Sequence, residues 1–362
     1  MTGNGLAGVV ATTTRLSHVD GERGELIIAG YPVEQLAAHA TFEETTWLLW
    51  HGGLPAAAEL EAFRAALAGV RRIPDAALAL LRDCARRQLP TMDALRVGAG
   101  TLSLESDEAT AIVARVPTIV ASYWRLRHGR EPIPPRSDLG QAANFLYMLK
   151  GKPPSADAAK LMDIDMILHA EHGSNASAFS ARVVAGTDAN LHAAVTAAIA
   201  ALSGPAHGGA AENVMKMALE VGDASKAADY VKAKRAAREP VMGFGHRVYR
   251  AEDPRARHMR AGVEKLSLEM GQPHWFQILE ALVEAMKPYA RHGVNVNVDF
   301  YAGVVYYLNG IKEDLFVPIF AVGRVPGWTV QVLEQMENNI LIRPLTLYNG
   351  PEPRPYVPVQ NR

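Results

Sequence analysis

Along most of this chain, apolar residues recur at the three- and four-residue intervals that line one face of a helix. Within residues 275–292 they fall at Phe276, Leu279, Val283, Met286 and Tyr289. Val214, Met217, Ala218 and Val221 keep the same spacing and predict a helix that begins just after His207. Residues 56–70, AAAELEAFRAALAGV, predict another, with Pro55 where a first helical turn favours it. Residues 107–128 predict a longer one, with Asp107 as N-cap, Gly129 as its stop and Pro117 inside to kink or divide it. Thr41 and Glu44 have capping-box spacing ahead of Trp47, Leu48 and Leu49. The pattern amounts to about ten segments of ordinary helix length.

Strand signals are few. In ATTTRLSHVDGERGELIIAGY an Asp20-Gly21 turn separates Thr/Val-rich from Leu/Ile-rich flanks and predicts a short N-terminal hairpin. No succession of βαβ units appears, which disfavours a parallel-sheet nucleotide-binding fold. The expectation is an all-α protein with one small β-hairpin. The last segment, GPEPRPYVPVQNR, has four prolines in 13 residues and reads as an extended arm. Its Tyr356, Val357 and Val359 point to packing on something, such as a partner subunit.

Composition narrows the classes. With 362 residues and 49% hydrophobic content, the chain can bury a core in two domains or one large one. Its 37 basic and 38 acidic side chains leave no excess to neutralise a phosphate backbone, so no nucleic-acid partner is expected. The most apolar stretch picked out by the pattern, Leu191–Leu202, has 12 residues, short of the roughly 20 that cross a bilayer, and no membrane partner is expected. The N-terminus lacks a basic start and an apolar run, so a cytoplasmic location is expected. Cys84, the one cysteine, reads as a small core residue.

Polar chemistry gathers in five joints. In LHAEHGSNAS, His169 and His172 stand three residues apart on one helical face. They read as helix-end histidines with ordinary hydrogen bonds, or as a pair sharing a metal ion that would need further ligands. In ALSGPAHGGAAENV, Gly204, Pro205, Gly208 and Gly209 bracket His207. Either this is a glycine turn with an incidental histidine, or a helix N-terminus keeps the ring neutral and able to donate to a developing oxyanion. In PVMGFGHRVYRAEDPRARHMR, Gly243-x-Gly245 has no P-loop lysine, but cationic donors are dense. Arg257 and Arg260 read as solvated helix-face charges, while His246, Arg247, Arg250 and Arg255 suit a polyanion.

The fourth joint, NVNVDFYAGVVYYLNGI, holds one carboxylate, Asp299, in an otherwise uncharged run; it caps the following helix or serves as a tuned general base. The fifth places single arginines, Arg324 and Arg343, beside Gly or Pro and apolar residues. Isolated arginines there suit anion recognition or a surface salt bridge.

Taken in order, these joints resemble the citrate synthase family. DGERGELIIAGYPVEQLA, TFEETTWLLWHGGLP, PTMDALR, QAANFLYML, LHAEHGSNAS, GPAHGG, GFGHRVYRAEDPRA, NVNVDFYAGVVYYLNGI and IRPLTLYNG correspond to its landmarks across essentially the whole chain. The resemblance implies an almost wholly helical homodimer. It also implies a large domain of residues 1–208 and 311–362, a small domain of 209–310, and a cleft that closes on the first substrate. By motif it implies that His207 stabilises an enol, His246 polarises the ketone of oxaloacetate and Asp299 is the base. His172, Arg255 and Arg324 then bind oxaloacetate, Phe320 lies beside it, and Arg343 reaches into the neighbouring subunit's site. Gly243, Gly245 and Arg250 belong to the loop that contacts coenzyme A.

The activity so implied is condensation of acetyl-CoA with oxaloacetate, followed by hydrolysis of citryl-CoA. No metal and no permanently bound cofactor are implied; acetyl-CoA is a co-substrate. Use of propionyl-CoA to make 2-methylcitrate is the near alternative, and a non-catalytic helical relative the remote one. The chain departs from the family pattern at Ala29, Ala211 and Leu345, where an arginine, an amide and a basic residue are usual.

Overall fold

The computed structural model describes residues 4–362 except 7, 103–108 and 209. Asp107, Gly209 and the side chain of Ala211 therefore lie outside the described residues. The N-terminal strands form three rungs rather than a simple hairpin: β1 (Ser17–Asp20), β2 (Glu25–Ile28) and β3 (Tyr31–Pro32), antiparallel in that order. Ser17 pairs with Ile28 and Asp20 with Glu25, so the Asp20-Gly21 turn is a loop over residues 21–24. Asp20 Oδ1 accepts the N–H groups of Glu22 and Arg23, each at 3.0 Å, which fixes the loop.

Seventeen α-helices follow among the described residues. The first five are α1 (Val33–His39), α2 (Phe42–His51), α3 (Ala57–Gly69), α4 (Asp75–Arg86) and α5 (Thr91–Gly100). Pro32, Pro74 and Pro90 each stand at the N-cap of α1, α4 and α5, and Thr41 closes the expected capping box with Glu44 on α2. Next come α6 (Ala109–Arg127), α7 (Gln141–Lys150), α8 (Ala156–His169), α9 (Ala176–Ala185) and α10 (Leu191–Leu202). Pro117 does not divide α6. The helix is buried around that position, where surrounding packing outweighs one missing backbone hydrogen bond. The remainder are α11 (Pro205–Gly208), α12 (Ala210–Val221), α13 (Ala227–Ala236), α14 (Pro254–Glu269), α15 (His274–Ala290), α16 (Asp299–Leu308) and α17 (Phe316–Glu337). The count exceeds the expected ten because many of these helices run only one to three turns between Gly and Pro stops.

The core centres on α17, which packs against α6, α8, α9 and α10. By length and composition the span Glu313–Glu337 could cross a membrane, and the pattern had passed over it for the shorter Leu191–Leu202. In the fold, 89% of its most apolar window is buried inside the protein, the mark of a central core helix. Helices α12 to α16 pack chiefly on one another and meet the rest through α14 against α1 and α8, and α12 against α17. The C-terminal residues after α17 run extended and largely exposed, as the proline content predicts.

Candidate active site

Helix ends and the loops beside them bring the polar joints together. α8 ends at His169, and His172 lies in the loop beyond, so the two do not share a helical face. At that end His169 Nδ1 turns back to the Asp165 carbonyl at 2.8 Å, while Arg324 Nε, far along the chain, donates to the His169 carbonyl. Among the described residues no three His, Cys, Asp or Glu side chains gather as metal ligands. Asp299 opens α16 without capping it; Val298 holds that position.

A short ladder fixes the two long loops. Phe244 bridges Val296, Gly245 N–H donates to Asn295 O at 2.7 Å, and Asn297 N–H to Gly243 O at 2.9 Å. Gly243 and Gly245 both have left-handed φ, +77° and +86°, which glycine adopts without strain. This ladder ties the His246 loop to the segment that enters α16. Asp253 completes the tie: fully buried, it caps α14, pairs with Arg255 through both oxygens at 2.9 and 2.7 Å, and accepts Val298 N–H at 3.2 Å. Burial opposes the charge on Asp253, yet Arg255 holds its pKa below the ordinary carboxylate value.

The three histidines are all held neutral, with distinct donors. Ser177 N–H donates to His207 Nε2 at 3.3 Å, so the ring proton sits on Nδ1. Ser177 Oγ lies 2.8 Å from the same nitrogen and accepts from Trp328 Nε1 at 3.0 Å. Burial, then Arg324, pushes the His207 pKa down to about 4. His207 lies in the one-turn helix α11, and α12 starts at Ala210 just beyond it, as the spacing predicts. His246 Nδ1 accepts the N–H groups of Val248 and Tyr249 at 3.0 and 3.1 Å, which leaves its proton on Nε2. Burial and Arg255 likewise take it to about 4. His172 shares a 3.0 Å hydrogen bond with Tyr249 Oη, and burial with Arg255 and Arg324 keeps it far below its usual value.

Two buried guanidiniums face this group. Arg255 stands over the Tyr249 ring at 6.0 Å and Arg324 over Phe320 at 4.8 Å. Burial pulls Arg324 down to about 10; Glu171 opposes that shift and Arg255 adds to it. Phe320 is the meeting point: edge-on to His169 at 4.8 Å and to His207 at 6.2 Å. Burial raises the Asp299 pKa; His169 and Arg255 pull it down, and Asp253 and Asp165 push it further up. The Asp165 carboxylate is fixed in turn by Tyr306 Oη at 2.7 Å.

The fold thus brings together His172, His207, His246, Arg255, Asp299, Phe320 and Arg324. It leaves Arg250 and Arg343 exposed, Arg343 on the extended segment after α17. Arg257 and Arg260 pair with Glu252 and Glu280 on the surface, as solvated charges. Sequence reasoning passed over Asp253, Tyr249 and Ser177. The Asp-Pro pair at the start of α14 is a capping signal that could have marked Asp253; Ser177 carries no signal of its own.

A family model described as "Citrate synthase, C-terminal domain" matches residues 5–345. The chain belongs to the citrate synthase family. "Citrate synthase 2" of Bacillus subtilis is 40% identical, over 99% of this chain and 98% of its own. A 2-methylcitrate synthase of Mycobacterium tuberculosis is 42% identical, over 97% and 91%. Among solved structures, the citrate synthase of Thermoplasma acidophilum, in a ternary complex with carboxymethyl coenzyme A and oxaloacetate, superposes with a TM-score of 0.90 at 29% identity. That likeness covers 99% of this chain and 98% of the other.

Proposed function

We propose that this chain is an acyltransferase that condenses acetyl-CoA with oxaloacetate and hydrolyses citryl-CoA to citrate and CoA. The observation that carries the reading is the convergence on Phe320 of a neutral His207 and a buried Arg324, with Asp299 in electrostatic contact with that arginine. Buried guanidiniums at Arg255 and Arg324 suit the two carboxylates of a dicarboxylic acid, with His172 as a further ligand. The site of the Thermoplasma relative, which holds oxaloacetate and a CoA analogue, supports the same substrates.

A thioester methyl group is a weak carbon acid, so its deprotonation needs both a base and a stabilised enolate. Burial makes Asp299 more basic than a surface carboxylate, and it takes the methyl proton. His207 donates from Nδ1 to the thioester oxygen; one such donor is typically worth about 2.7–4 kcal/mol. The enol carbon then attacks the oxaloacetate ketone, polarised by His246 Nε2–H, and water cleaves the thioester. In this reading the exposed Arg250, with Gly243 and Gly245, belongs to the CoA side. The 209–310 lobe closes on oxaloacetate, and the C-terminal segment clasps a second copy so that Arg343 enters its site.

The Mycobacterium relative favours a second reading, propionyl-CoA as the acyl donor. One methylene is worth only about 1–3 kcal/mol of discrimination, within reach of a few pocket side chains. Steady-state thiol release from acetyl-CoA and propionyl-CoA at saturating oxaloacetate decides the matter. Release favouring acetyl-CoA is expected; a preference for propionyl-CoA installs the second reading, and no release from either overturns both.

A further inference from the structure

The N-terminal hairpin is far in sequence from every group of the site, yet it touches both loops that carry oxaloacetate-facing histidines. At the start of β1, Ser17 Oγ accepts Gly173 N–H at 2.9 Å and donates to Glu171 Oε1 at 3.0 Å, on either side of His172. At the far end of β1, Gly21 O accepts Arg250 N–H at 2.8 Å, next to Tyr249. Gly21 has no left-handed φ to explain it. Its reason is proximity: a Cβ there would lie 2.2 Å from the carbonyl oxygen of Val248. Gly24, whose φ of +66° already favours glycine, is equally close: a Cβ there would stand 2.7 Å from Glu252 O. Backbone cannot move aside as a flexible side chain can, so main chain is pressed against main chain on both sides of Tyr249.

The hairpin is itself rigid, because Leu26 and Ile28 are buried in the core and Asp20 fixes its tip. Between its two contacts lies the direct bond between the loops, His172 to Tyr249. We propose that the β1–β2 hairpin is a positioning element: through Ser17 and Gly21 it sets the register of the His172 loop against the His246–Tyr249 loop, and so sets affinity for oxaloacetate. This rests on the reading of the site as an oxaloacetate site.

Gly21→Ala and Ser17→Ala test it, with Ser17→Thr as the conservative control that keeps the hydroxyl. For each variant, melting temperature, oxaloacetate binding by calorimetry, and KM and kcat would be measured. Detaching the hairpin removes pre-organisation that bound substrate can restore, so the loss falls on KM rather than kcat. Expected is a rise of about tenfold or more in Kd and KM for oxaloacetate for Gly21→Ala and a smaller one for Ser17→Ala. For both variants kcat should stay within about threefold, as should the acyl-CoA KM of Ser17→Ala, whose contacts lie on the His172 loop alone, and Ser17→Thr should restore affinity. Should Gly21→Ala fail to fold, Ser17→Ala against Ser17→Thr carries the same comparison. A lowered melting temperature with unchanged oxaloacetate affinity in the folded variants would make the hairpin merely structural and overturn the proposal. Failure of the wild-type protein itself to bind oxaloacetate would instead overturn the functional reading.

Discussion

The core around α17 and the loops around Phe320 are held by different physics. In α6 and α17 most side chains are apolar and buried, and apart from Phe320 and Arg324, which α17 lends to the site, no single contact decides the position of the rest. Around the site, by contrast, a few groups serve several partners each: Asp253 bonds Arg255 and Val298, Ser177 bonds His207 and Trp328. Burial is non-directional and tolerant of small shifts, whereas a hydrogen-bonded hub fixes direction and fails when one atom is lost. Substitutions in the first region should therefore move stability and leave chemistry alone, and those in the second should do the reverse.

Asp299→Asn is the strongest test of the second half. It keeps the shape but removes the base, and loss of a positioned general base typically costs about 10²–10⁴ in rate. The expected result is a kcat lowered by that factor, with oxaloacetate binding by calorimetry and the melting temperature near those of the wild type. Near-normal turnover would take the base role from Asp299.

Asp253→Asn should break the division, because this residue serves both regions. Removing one partner of a buried ion pair leaves Arg255 uncompensated and typically costs about 3–5 kcal/mol. Both the melting temperature and oxaloacetate affinity should fall together, checked by thermal melts and calorimetry on one preparation. A loss in only one would show that the Asp253–Arg255 pair is less of a hub than its four hydrogen bonds imply.

How much could be read beforehand follows the same line. Helical periodicity, the Thr41 capping box and the proline-rich tail came through because they depend on neighbours in sequence. The family resemblance carried the seven residues that meet at the site, five of them within the quoted landmarks and Phe320 and Arg324 between two of these. What stayed hidden depends on contacts across the chain. The neutrality of His207 was expected from a helix end, but the burial and the distant Arg324 that also lower its pKa carried no signal in the sequence. Gly21 read as a turn residue, although its place is set by Val248, more than two hundred positions away. The three-residue spacing of His169 and His172 implied a shared face, but nothing local announced that α8 stops at His169.

In the apolar half, Ile119→Ala on α6 is the matching test. Ile119 is fully buried, and truncating such a side chain typically costs about 2–5 kcal/mol, depending on how far the site collapses. Denaturant melts should show that loss while KM for oxaloacetate and kcat remain unchanged. A shift in KM would mean that packing strain in α6 reaches the site, and the two regions would have to be treated as one.

A last effect, visible only as pH changes, is expected where a half-buried carboxylate lies against the core. Asp163 on α8 accepts Phe42 N–H at 3.2 Å, and burial, then the nearby Glu43, raises its pKa to about 7. Its folded pKa thus lies above the unfolded value, so between about pH 4 and 7 the native state binds the proton that the unfolded state has released. Its stabilising contribution is full below pH 4 and declines as pH rises through 7, by at most about 1.4 kcal/mol per pH unit. Asp163→Asn keeps the acceptor for Phe42 N–H and removes the titration. The variant should gain clearly more stability relative to the wild type at pH 8 than at pH 5, read from denaturant midpoints at the two values. An equal change at both would mean that Asp163 stays ionised in the fold, and that even a carboxylate against the core finds enough water or cationic company from Lys160 and Arg64 to keep its charge.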